Sequence, residues 1–296
     1  MEMSKQNHYI QQIHYCYPKI KILSVQFNEM GQHNDVLVVN NHLIFRFPKF
    51  EDGIGQLAIE TAILEGIQGQ VSLQTPTPIY QNIETSVVGE VFVGYEMIKG
   101  EPLWRETVSS ITDEAILQKL ATQIATFLKE LHSISVEDAI PVLLPRVDTR
   151  DEWLDLYERI RLKLFEFMRP DAQKAVSQHF ETYLDTPETF TFEPTLRHGD
   201  FGTVNLLYDR DTQSITGVID FGNTGLGDPA IDFAGIISPV GYGESFLKRF
   251  EGIYPNIETT AKRTKFYVGT FALQEALYGI EHNDREAFKA GIKDYC

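Results

Sequence analysis

The chain has 296 residues, of which 43% are hydrophobic, and it carries a formal net charge of −16 at pH 7. This length and composition are sufficient for two lobes with substantial cores. The negative charge disfavours nucleic acid and anionic membranes as partners, because both would be repelled, and it is compatible with a cationic substrate. The sequence contains neither an apolar run long enough to span a bilayer nor the N-terminal apolar core of a signal peptide.

Cysteine use indicates the redox compartment. The two cysteines, Cys16 and Cys296, lie near opposite ends of the chain. Such a pair is not a disulfide framework, and it favours a reducing environment. We therefore expect a cytoplasmic protein.

The first hundred residues have the pattern of a small antiparallel sheet with one main helix. Apolar runs predict strands at residues 20–27, 36–39, 42–47, 78–81 and 87–97. Asn40-Asn41 provides a two-residue turn between the second and third of these strands. From about Gln56 to Ile67 the apolar residues follow helical spacing. A strand ends near Ile98–Gly100, where glycine permits a hinge, so we expect lobes at 1–98 and 99–296.

The second half of the chain is mainly helical by the spacing of its apolar residues. Thr112 is suited to cap a helix that runs to Leu131. Further helices are predicted at 152–168 and 172–183, with at least two more between 258 and 295. The predicted fold class is α+β and bilobal, with a small antiparallel sheet first and a larger, mainly helical lobe second.

The most informative stretch runs from Arg197 to Asn205 and contains His198-Gly199-Asp200-Phe201. Asn205 follows Asp200 by five positions, and Asp220-Phe221-Gly222 begins fifteen residues after Asn205. Kinases use this spacing for phosphoryl transfer, which requires a carboxylate to receive the proton of the incoming hydroxyl and hard oxygen ligands to hold Mg²⁺. Asp200 suits the first role, and Asn205 and Asp220 suit the second.

The sequence between these motifs supports this interpretation. Residues 206–208 and 215–219 are predicted strands, and the turn-rich segment 209–214 joins them. Either motif alone would more often be a turn or a strand end than a catalytic group. A loop, a hairpin and then an Asp is the order in which the kinase fold presents its ligands.

These residues resemble a known family, the aminoglycoside phosphotransferases and their relatives, which share a protein-kinase-like fold. The matching motifs are His198–Phe201, Asn205, Val218–Gly222, and Gly227–Pro229 with Asp232. Three further segments are similar to the aminoglycoside 2″-O-phosphotransferases in particular, namely Leu43–Lys49, Ile98–Leu103 and Phe127–Ser133. The resemblance spans nearly the whole chain in family order.

The resemblance implies an N-terminal nucleotide-binding lobe and a C-terminal catalytic and substrate-binding lobe. Tyr95, Glu96 and Ile98 would lie at the nucleotide base, which backbone groups of the hinge would read. A bulky residue at Tyr95 occurs in relatives that use GTP, so the donor is ATP or GTP. The resemblance also implies Asp200 as the catalytic base and Mg²⁺ bound by two side chains, Asn205 and Asp220.

Arg46 is a departure from the family pattern, which usually has Lys at this position on the strand that reaches the phosphates. Arg keeps the charge but is planar and longer, so the two residues are not interchangeable. Some macrolide phosphotransferase relatives also look to carry Arg here. Glu60 is the expected partner of Arg46, and Glu65 is the competing choice. Lys49, three residues further along, should face the other side of the strand.

The expected phosphate loop, Asn28–Asn34, departs from the pattern as well, because Gly31 is its only glycine. Its backbone N–H groups suit phosphate binding, and a plain inter-strand turn explains the loop equally well. Asp228 is suited to cap a helix that begins near Pro229. We interpret Asp228, Asp232 and His198 as scaffold residues that brace the loop of Asp200.

The acceptor is expected to be a small molecule. Only five residues, Asn223 to Gly227, separate the two C-terminal motifs, which leaves no activation segment on which a peptide could dock. A polycationic aminoglycoside would require carboxylates beyond Asp200, and Glu244 and Glu275 are the candidates. Each is more often a solvated helix residue. Asn223 stands where close relatives often have Asp, which weakens the polycation hypothesis.

The sequence therefore predicts a Mg²⁺-dependent kinase that phosphorylates a hydroxyl of an aminoglycoside and so confers resistance. A kinase for a macrolide or for a small metabolite such as an amino alcohol is the alternative with the same chemistry. A nucleotide-binding module without catalysis is the rival from a different class, motivated by Arg46 and the single glycine of the loop. The intact set of Asp200, Asn205 and Asp220 argues against that rival.

Overall fold

The computed structural model describes residues 4–29, 31 and 33–296, which form two compact units. The first unit consists of the residues up to Leu103 together with Ile134–Leu144 and Val204–Thr224. The second consists of Trp104–Ser133, Pro145–Thr203 and Gly225–Cys296. The chain therefore enters and leaves each unit more than once.

A five-stranded antiparallel sheet dominates the first unit, in the order β1-β2-β3-β5-β4. Its strands are β1 (Val25–Asn28), β2 (Asn34–Val39), β3 (Leu43–Pro48), β4 (Tyr80–Asn82) and β5 (Phe92–Glu96). Asn40 and Asn41 have φ values of 53° and 58°, and the His42 N–H donates to the Val39 carbonyl at 3.1 Å, so they are the two central residues of a β-turn, as predicted. Because Val39 pairs with Leu43, the loop has three residues and β3 begins one residue after the predicted His42. Strand β5 is shorter than the predicted 87–97, because residues 87–90 form a turn.

Helix α1 (Lys5–Cys16) covers one face of this sheet. Ser4 caps it by accepting a hydrogen bond from the Asn7 N–H. Tyr9 and Ile13, four positions apart, are its buried residues, and the Tyr9 ring stacks on Phe47 with centroids 4.0 Å apart. Helix α1 was not predicted from the sequence and lies here in addition to the main helix of this part of the chain.

Helix α2 (Glu51–Ile67) belongs to the opposite face. It begins five residues before the predicted Gln56. Leu57 packs with Val91 and Val93, whose side chains point away from that of Phe92 because neighbours in a strand alternate. The two faces of the sheet thus have separate cores, one under each helix.

A second sheet completes the first unit and explains why that unit includes later parts of the chain. Strands β6 (Glu101–Pro102), β8 (Leu206–Asp209) and β9 (Ser214–Val218) form an antiparallel sheet in the order β6-β8-β9. The hairpin predicted after Asn205 is present, and its first strand pairs with β6. The short helix α5 (Val136–Ala139) also lies in this unit. The compact units divide the chain differently from the predicted lobes at 1–98 and 99–296. The assignment of nucleotide binding to the first lobe and of catalysis to the second stays a prediction.

The second unit is mainly helical. Its helices are α3 (Arg105–Ser110), α4 (Glu114–His132), α6 (Arg150–Leu164), α7 (Pro170–Leu184), α8 (Ala230–Ile237), α9 (Glu244–Leu247), α10 (Ala261–Glu281) and α11 (Arg285–Ile292). Strands β7 (Thr195–Arg197) and β10 (Gly225–Gly227) pair in a two-stranded sheet. Asp113, one residue after the predicted Thr112, caps α4. None of the helices in the described ranges is long and apolar enough to cross a bilayer.

We expect Ile13→Ala to lower the free energy of unfolding by about 2–5 kcal/mol, because it leaves a cavity between α1 and the sheet. Ile13 is fully buried, whereas Tyr15 on the same helix is 86% exposed. Tyr15→Ala should therefore change stability by less than about 0.5 kcal/mol. Urea unfolding of the two variants tests this, and equal stabilities would contradict the packing of α1.

Candidate active site

The loop that carries Asp200 is held by one buried carboxylate. Asp232, in the first turn of α8, accepts hydrogen bonds from the backbone N–H groups of His198 and Gly199, both at 2.8 Å. Gly199 has a φ of 86°, which favours glycine. The Asp200 N–H donates to Nδ1 of His198 at 3.2 Å. These bonds fix the backbone that leads into Asp200, whose side chain is exposed.

His132, the last residue of α4, supports the same carboxylate. Its Nε2 lies 3.0 Å from Oδ2 of Asp232, and its Nδ1 lies 2.8 Å from the hydroxyl of Tyr254. The sequence analysis included His132 in a family-like segment without giving it a role. The available signal was a histidine at the end of an apolar helix face, which by itself does not identify a partner one hundred residues away.

The ionisation of Asp232 follows from these contacts. Burial by itself would raise the pKa of Asp232, because a carboxylate loses hydration inside the protein. The hydrogen bond and charge of His132, the charge of His198 and the N–H of Gly199 lower it, and the net result is a pKa below the ordinary Asp value. The carboxylate is thus held in its charged form, in which it accepts the two backbone bonds.

Gly235, one turn further along α8, permits close packing against the Asp200 loop. A Cβ placed on Gly235 would lie 1.8 Å from the backbone oxygen of Phe201. No side chain can occupy that space without movement of the loop. The Phe201 ring is buried and stacks on Phe127 of α4, with centroids 6.0 Å apart.

A second buried carboxylate, Asp228, braces the start of α8. It accepts hydrogen bonds from the Arg263 guanidinium at 2.6 and 3.2 Å, from the Tyr267 hydroxyl at 2.8 Å and from the Ala230 N–H at 3.0 Å. Asp228 thus bonds the first N–H of α8, although the residue at the N-cap is Pro229 and not the predicted Asp228. The ion pair with Arg263 adds a scaffold contact that the sequence pattern did not indicate.

In the first unit, four side chains come together that we call the arginine cluster: Arg46, Glu60, Tyr95 and Asp220. Arg46 of β3 donates to the Glu60 carboxylate of α2, and its Nη2 lies 3.8 Å from Oδ1 of Asp220. Tyr95 of β5 is a diagonal neighbour of Arg46 on the same face of the sheet, since Arg46 pairs with Val93 and Ile44 pairs with Tyr95. Glu65, the competing partner for Arg46, instead accepts a bond from Gln81 at 2.6 Å.

Burial and the neighbouring charges shift the pKa values of Arg46 and Tyr95. Burial alone would lower the pKa of Arg46, but the negative charges of Glu60 and Asp220 raise that pKa above the ordinary arginine value. Burial is the main cause that raises the pKa of Tyr95 to about 12, and the charge of Arg46 opposes it. Arg46 is therefore a permanent cation and Tyr95 a neutral hydroxyl at physiological pH.

Asn205 and Asp220 lie at the ends of paired strands. The Ile219 N–H donates to the Asn205 carbonyl at 3.0 Å, which brings the residue after Ile219 close to Asn205. Asp220 has a φ of 64°, an uncommon conformation for a residue with a side chain and typical of functional sites. Asn205 is buried, and the Asp220 carboxylate is 53% exposed. An amide oxygen and a partly open carboxylate fit the oxygen ligands that Mg²⁺ prefers.

The expected base-binding hinge follows β5. The Met97 N–H donates to the carbonyl of His42, the residue just before β3, at 2.7 Å, which connects the hinge to the start of that strand. Glu96 is the last residue of β5, and its side chain is exposed. Ile98 packs against Gly217 of β9, where a Cβ would come within 2.8 Å of the Ile98 side chain.

The expected phosphate loop joins β1 and β2, and two of its residues, Met30 and Gln32, lie outside the described ones. Gly31 is exposed, and a Cβ on it would lie 2.5 Å from the Asn34 carbonyl oxygen, so the turn requires glycine. Lys49 donates to the carbonyl of Glu29. Lys49 thus contacts the loop backbone and not the arginine cluster.

The comparisons with known proteins agree with this arrangement. The pattern that defines the APH phosphotransferase enzyme family matches residues 24–263. The chain belongs to this family. It is 26% identical to viomycin phosphotransferase from Streptomyces vinaceus over 269 residues, which are 90% of either chain.

Solved structures show the same fold. A GDP and kanamycin complex of APH(2″)-IIIa superposes with a TM-score of 0.86 at 27% identity, covering 97% of this chain and 96% of that one. Macrolide 2′-phosphotransferase type I superposes with a TM-score of 0.76 at 17% identity, covering 100% and 99% of the two chains. The second likeness concerns the fold alone. The α+β, kinase-like fold predicted from the sequence is confirmed.

The three residues considered for substrate recognition belong to different elements. Asn223 is exposed in the first unit, one residue after Asp220-Phe221-Gly222. Glu244 is the first residue of α9 and forms an ion pair with Lys265 at 3.3 Å. Glu275 is exposed on α10. All three are accessible to a ligand, and their role in recognition stays a prediction.

The lowered pKa of Asp232 predicts a pH-dependent contribution to stability. Because its pKa is lower in the folded than in the unfolded protein, the contribution is complete above the unfolded value of about 3.9 and is lost as the pH falls through the folded value. We expect Asp232→Asn to be less stable than wild type by about 1–3 kcal/mol near pH 7, with the difference shrinking below about pH 4.

Urea unfolding of both proteins from pH 7 to pH 3 measures this difference. Asp211→Asn, on an exposed turn, provides the control and should follow wild type throughout. A difference that stays constant down to pH 3 would show that the Asp232 charge does not stabilise the loop.

We expect Gly235→Ala to reduce phosphoryl transfer by at least about tenfold, because the new methyl group must displace the Phe201 backbone next to Asp200. Gly55→Ala on α2 is the matched control, since nothing lies within 4 Å of its added Cβ. Nucleoside diphosphate release, measured beside a thermal unfolding curve, separates loop displacement from unfolding. Wild-type activity in Gly235→Ala would refute the close approach.

Proposed function

We propose that this protein is a Mg²⁺-dependent kinase that transfers the γ-phosphoryl group of ATP or GTP to a hydroxyl of an aminoglycoside, and that it thereby confers resistance. The observation that carries the proposal is the exposed Asp200 carboxylate on a loop anchored by Asp232, in a chain of the phosphotransferase family. The likeness to a protein crystallised with GDP and kanamycin supports the acceptor class.

Asp200 acts on the acceptor in this mechanism. Its carboxylate accepts a hydrogen bond from the substrate hydroxyl and receives the proton as the oxygen attacks the γ-phosphorus. General base groups of this kind contribute about 10²–10⁴-fold to a rate. The bonds from His198 and Gly199 to Asp232 limit the motion of the loop, which keeps the carboxylate in position during the reaction.

Asn205 and Asp220 are the residues that would hold Mg²⁺. When bound, the ion neutralises charge on the phosphate oxygens and orients them for in-line transfer. Asp220 would supply a carboxylate oxygen from its left-handed backbone conformation, and Asn205 would supply an amide oxygen from the neighbouring strand end. The two protein ligands leave further positions for phosphate oxygens and water, as is usual for Mg²⁺.

Arg46 binds the phosphates of the donor. It is a buried cation on β3, and Glu60 directs it by occupying one side of the guanidinium. The planar fork of arginine suits bidentate phosphate contacts. Tyr95, Glu96 and Ile98 would border the base, and the Gly31 loop would cover the phosphates.

The acceptor is proposed to be cationic. The net charge of −16 favours the approach of a polyamine through long-range attraction. Glu244, Glu275 and Asn223 are the proposed recognition residues, and Glu244 would exchange Lys265 for a substrate ammonium group. A cytoplasmic location, where nucleoside triphosphate is available, fits the two free cysteines. A macrolide or amino alcohol kinase is the alternative with the same chemistry.

Acceptor-stimulated release of nucleoside diphosphate from ATP and from GTP tests the proposal. The panel comprises aminoglycosides, viomycin, macrolides and amino alcohols, each with and without Mg²⁺. We expect stimulation by at least one aminoglycoside. Asp200→Asn, which keeps the shape of the side chain, should lower the stimulated rate by about 10²–10⁴-fold while nucleotide affinity is retained.

The other outcomes are equally informative. Stimulation by a macrolide or an amino alcohol alone would replace the aminoglycoside assignment with the alternative. The non-catalytic module would be favoured if nucleotide binds tightly but no acceptor stimulates release of nucleoside diphosphate, and if Asp200→Asn releases it at the wild-type rate. Mg²⁺-independent release would remove the metal role from Asn205 and Asp220.

A further inference from the structure

A buried carboxylate on β2, Asp35, is held by the N-terminal helix at the end of the expected phosphate loop. Its side chain is fully enclosed, and the Tyr9 hydroxyl of α1 donates to its Oδ2 at 2.7 Å. The Lys5 ammonium, one turn earlier on α1, lies 2.6 Å from the same oxygen. A carboxylate that has lost its hydration is stable only with such partners. We call Lys5, Tyr9, Asp35 and Lys49 the aspartate cluster.

The other carboxylate oxygen of Asp35 depends on the charge of Lys49. Among the described residues Oδ1 of Asp35 has no hydrogen-bonding partner, and the Lys49 ammonium lies 3.6 Å from it. That ammonium donates its hydrogen bond to the backbone carbonyl of Glu29. The Lys49 side chain is 18% exposed, so it is not a solvated lysine at a strand end. Asp35 thus attracts an ammonium group that is bonded to the backbone just after β1.

Lys49 contacts both ends of the loop between β1 and β2. Its side chain donates to Glu29, the residue after β1. Its backbone N–H donates at 3.0 Å to the carbonyl of His33, the residue before β2. One residue therefore joins the two ends of the loop through two hydrogen bonds. A loop whose ends are already fixed loses less conformational entropy when it binds a ligand.

We propose that Lys49 is a positioning residue for the phosphates of the donor nucleotide, and that Asp35 and α1 hold it in place. By joining both ends of the loop, Lys49 keeps the backbone N–H groups of the loop available to phosphate oxygens. Asp35 orients the ammonium group, and Tyr9 and Lys5 orient Asp35. The N-terminal helix thereby contributes to nucleotide binding. The proposal rests on the proposed function in that the ligand is a nucleoside triphosphate whose phosphates lie at this loop.

Asp35 distinguishes this role from a simple effect of charge. If Lys49 acted only as a positive charge near the phosphates, removal of the negative charge of Asp35 would strengthen triphosphate binding. If Lys49 acts by holding the loop, Asp35→Asn weakens that binding, because the ammonium group loses the charge that orients it. The two roles therefore predict effects of opposite sign.

The test is equilibrium binding of non-hydrolysable GTP and ATP analogues, with Mg²⁺ and without an acceptor. Binding of guanosine and adenosine is measured in parallel. We expect triphosphate binding to weaken by at least about tenfold in Lys49→Met and by at least about threefold in Asp35→Asn, with nucleoside binding changed by less than about twofold. Lys19→Met is the matched control, because it removes the same charge from an exposed residue of the first unit and should bind as wild type does.

A double-mutant cycle shows whether Asp35 acts through Lys49. In a Lys49→Met background, Asp35→Asn should change triphosphate binding by less than about twofold. Tyr9→Phe is the second variant if a charge variant does not fold, as judged by thermal unfolding. It keeps the ring that stacks on Phe47 and removes only the donor to Asp35. We expect Tyr9→Phe to weaken the binding of triphosphates and not of nucleosides.

Four results would overturn the proposal. Triphosphate binding could be unchanged in Lys49→Met or in Tyr9→Phe. Asp35→Asn could strengthen it, which would leave Lys49 a role in charge alone. The effect of Asp35→Asn could persist in the Lys49→Met background, which would make the two residues independent. Nucleosides could be weakened as much as triphosphates, which would indicate a general distortion of the first unit.

These measurements also distinguish failure of this proposal from failure of the proposed function. Because no acceptor is present, a wrong assignment of the acceptor leaves them intact. Wild type that binds triphosphate, with unchanged binding in Lys49→Met, would overturn the role of Lys49 alone. Wild type that binds no triphosphate would overturn the proposed function, and the role of Lys49 with it.

Discussion

The structure of the candidate active site depends on a charge that is buried without access to water. Asp232 is fully enclosed, and a carboxylate in that environment is stable only if donors surround it. His132 and two loop N–H groups satisfy this requirement, and in doing so they place His198 and Gly199. The need to neutralise one carboxylate thus fixes the backbone beside Asp200. The close approach of Gly235 depends on the same geometry.

Much of the candidate site could be predicted from the sequence, because its motifs and the hairpin between them are local patterns in the chain. The spacing of Asp200, Asn205 and Asp220 predicts the reacting groups, and the hairpin between the last two was predicted from alternating apolar residues and a turn. Helix α1 was missed for a physical reason. It buries only Tyr9 and Ile13, which is too little apolar periodicity to distinguish a surface helix from an irregular terminus.

The site contacts outside the motifs join residues far apart in the chain, and they could not be predicted from the sequence. Glu60 and Glu65 were both possible partners of Arg46, and the phase of α2 decides between them, since five positions on a helix point about 140° apart. The placement of Tyr95 beside Arg46 on one face of the sheet depends on the register of β3 against β5. His132 meets Asp232 only after α4 and α8 have packed. Each of these depends on tertiary structure, which no pattern within one segment encodes.

The interleaved order of the two units has a consequence during synthesis. Strand β6 ends at Pro102, yet its partner β8 begins at Leu206, so the second sheet of the first unit stays unpaired while the intervening chain is made. At about 5–20 residues per second, the ribosome needs roughly 5–20 s to produce that stretch. The sheet that contains Arg46 is translated early, whereas Asn205 and Asp220 are translated only after the intervening helices. A nascent chain therefore carries a nearly complete first sheet well before it carries the proposed metal ligands.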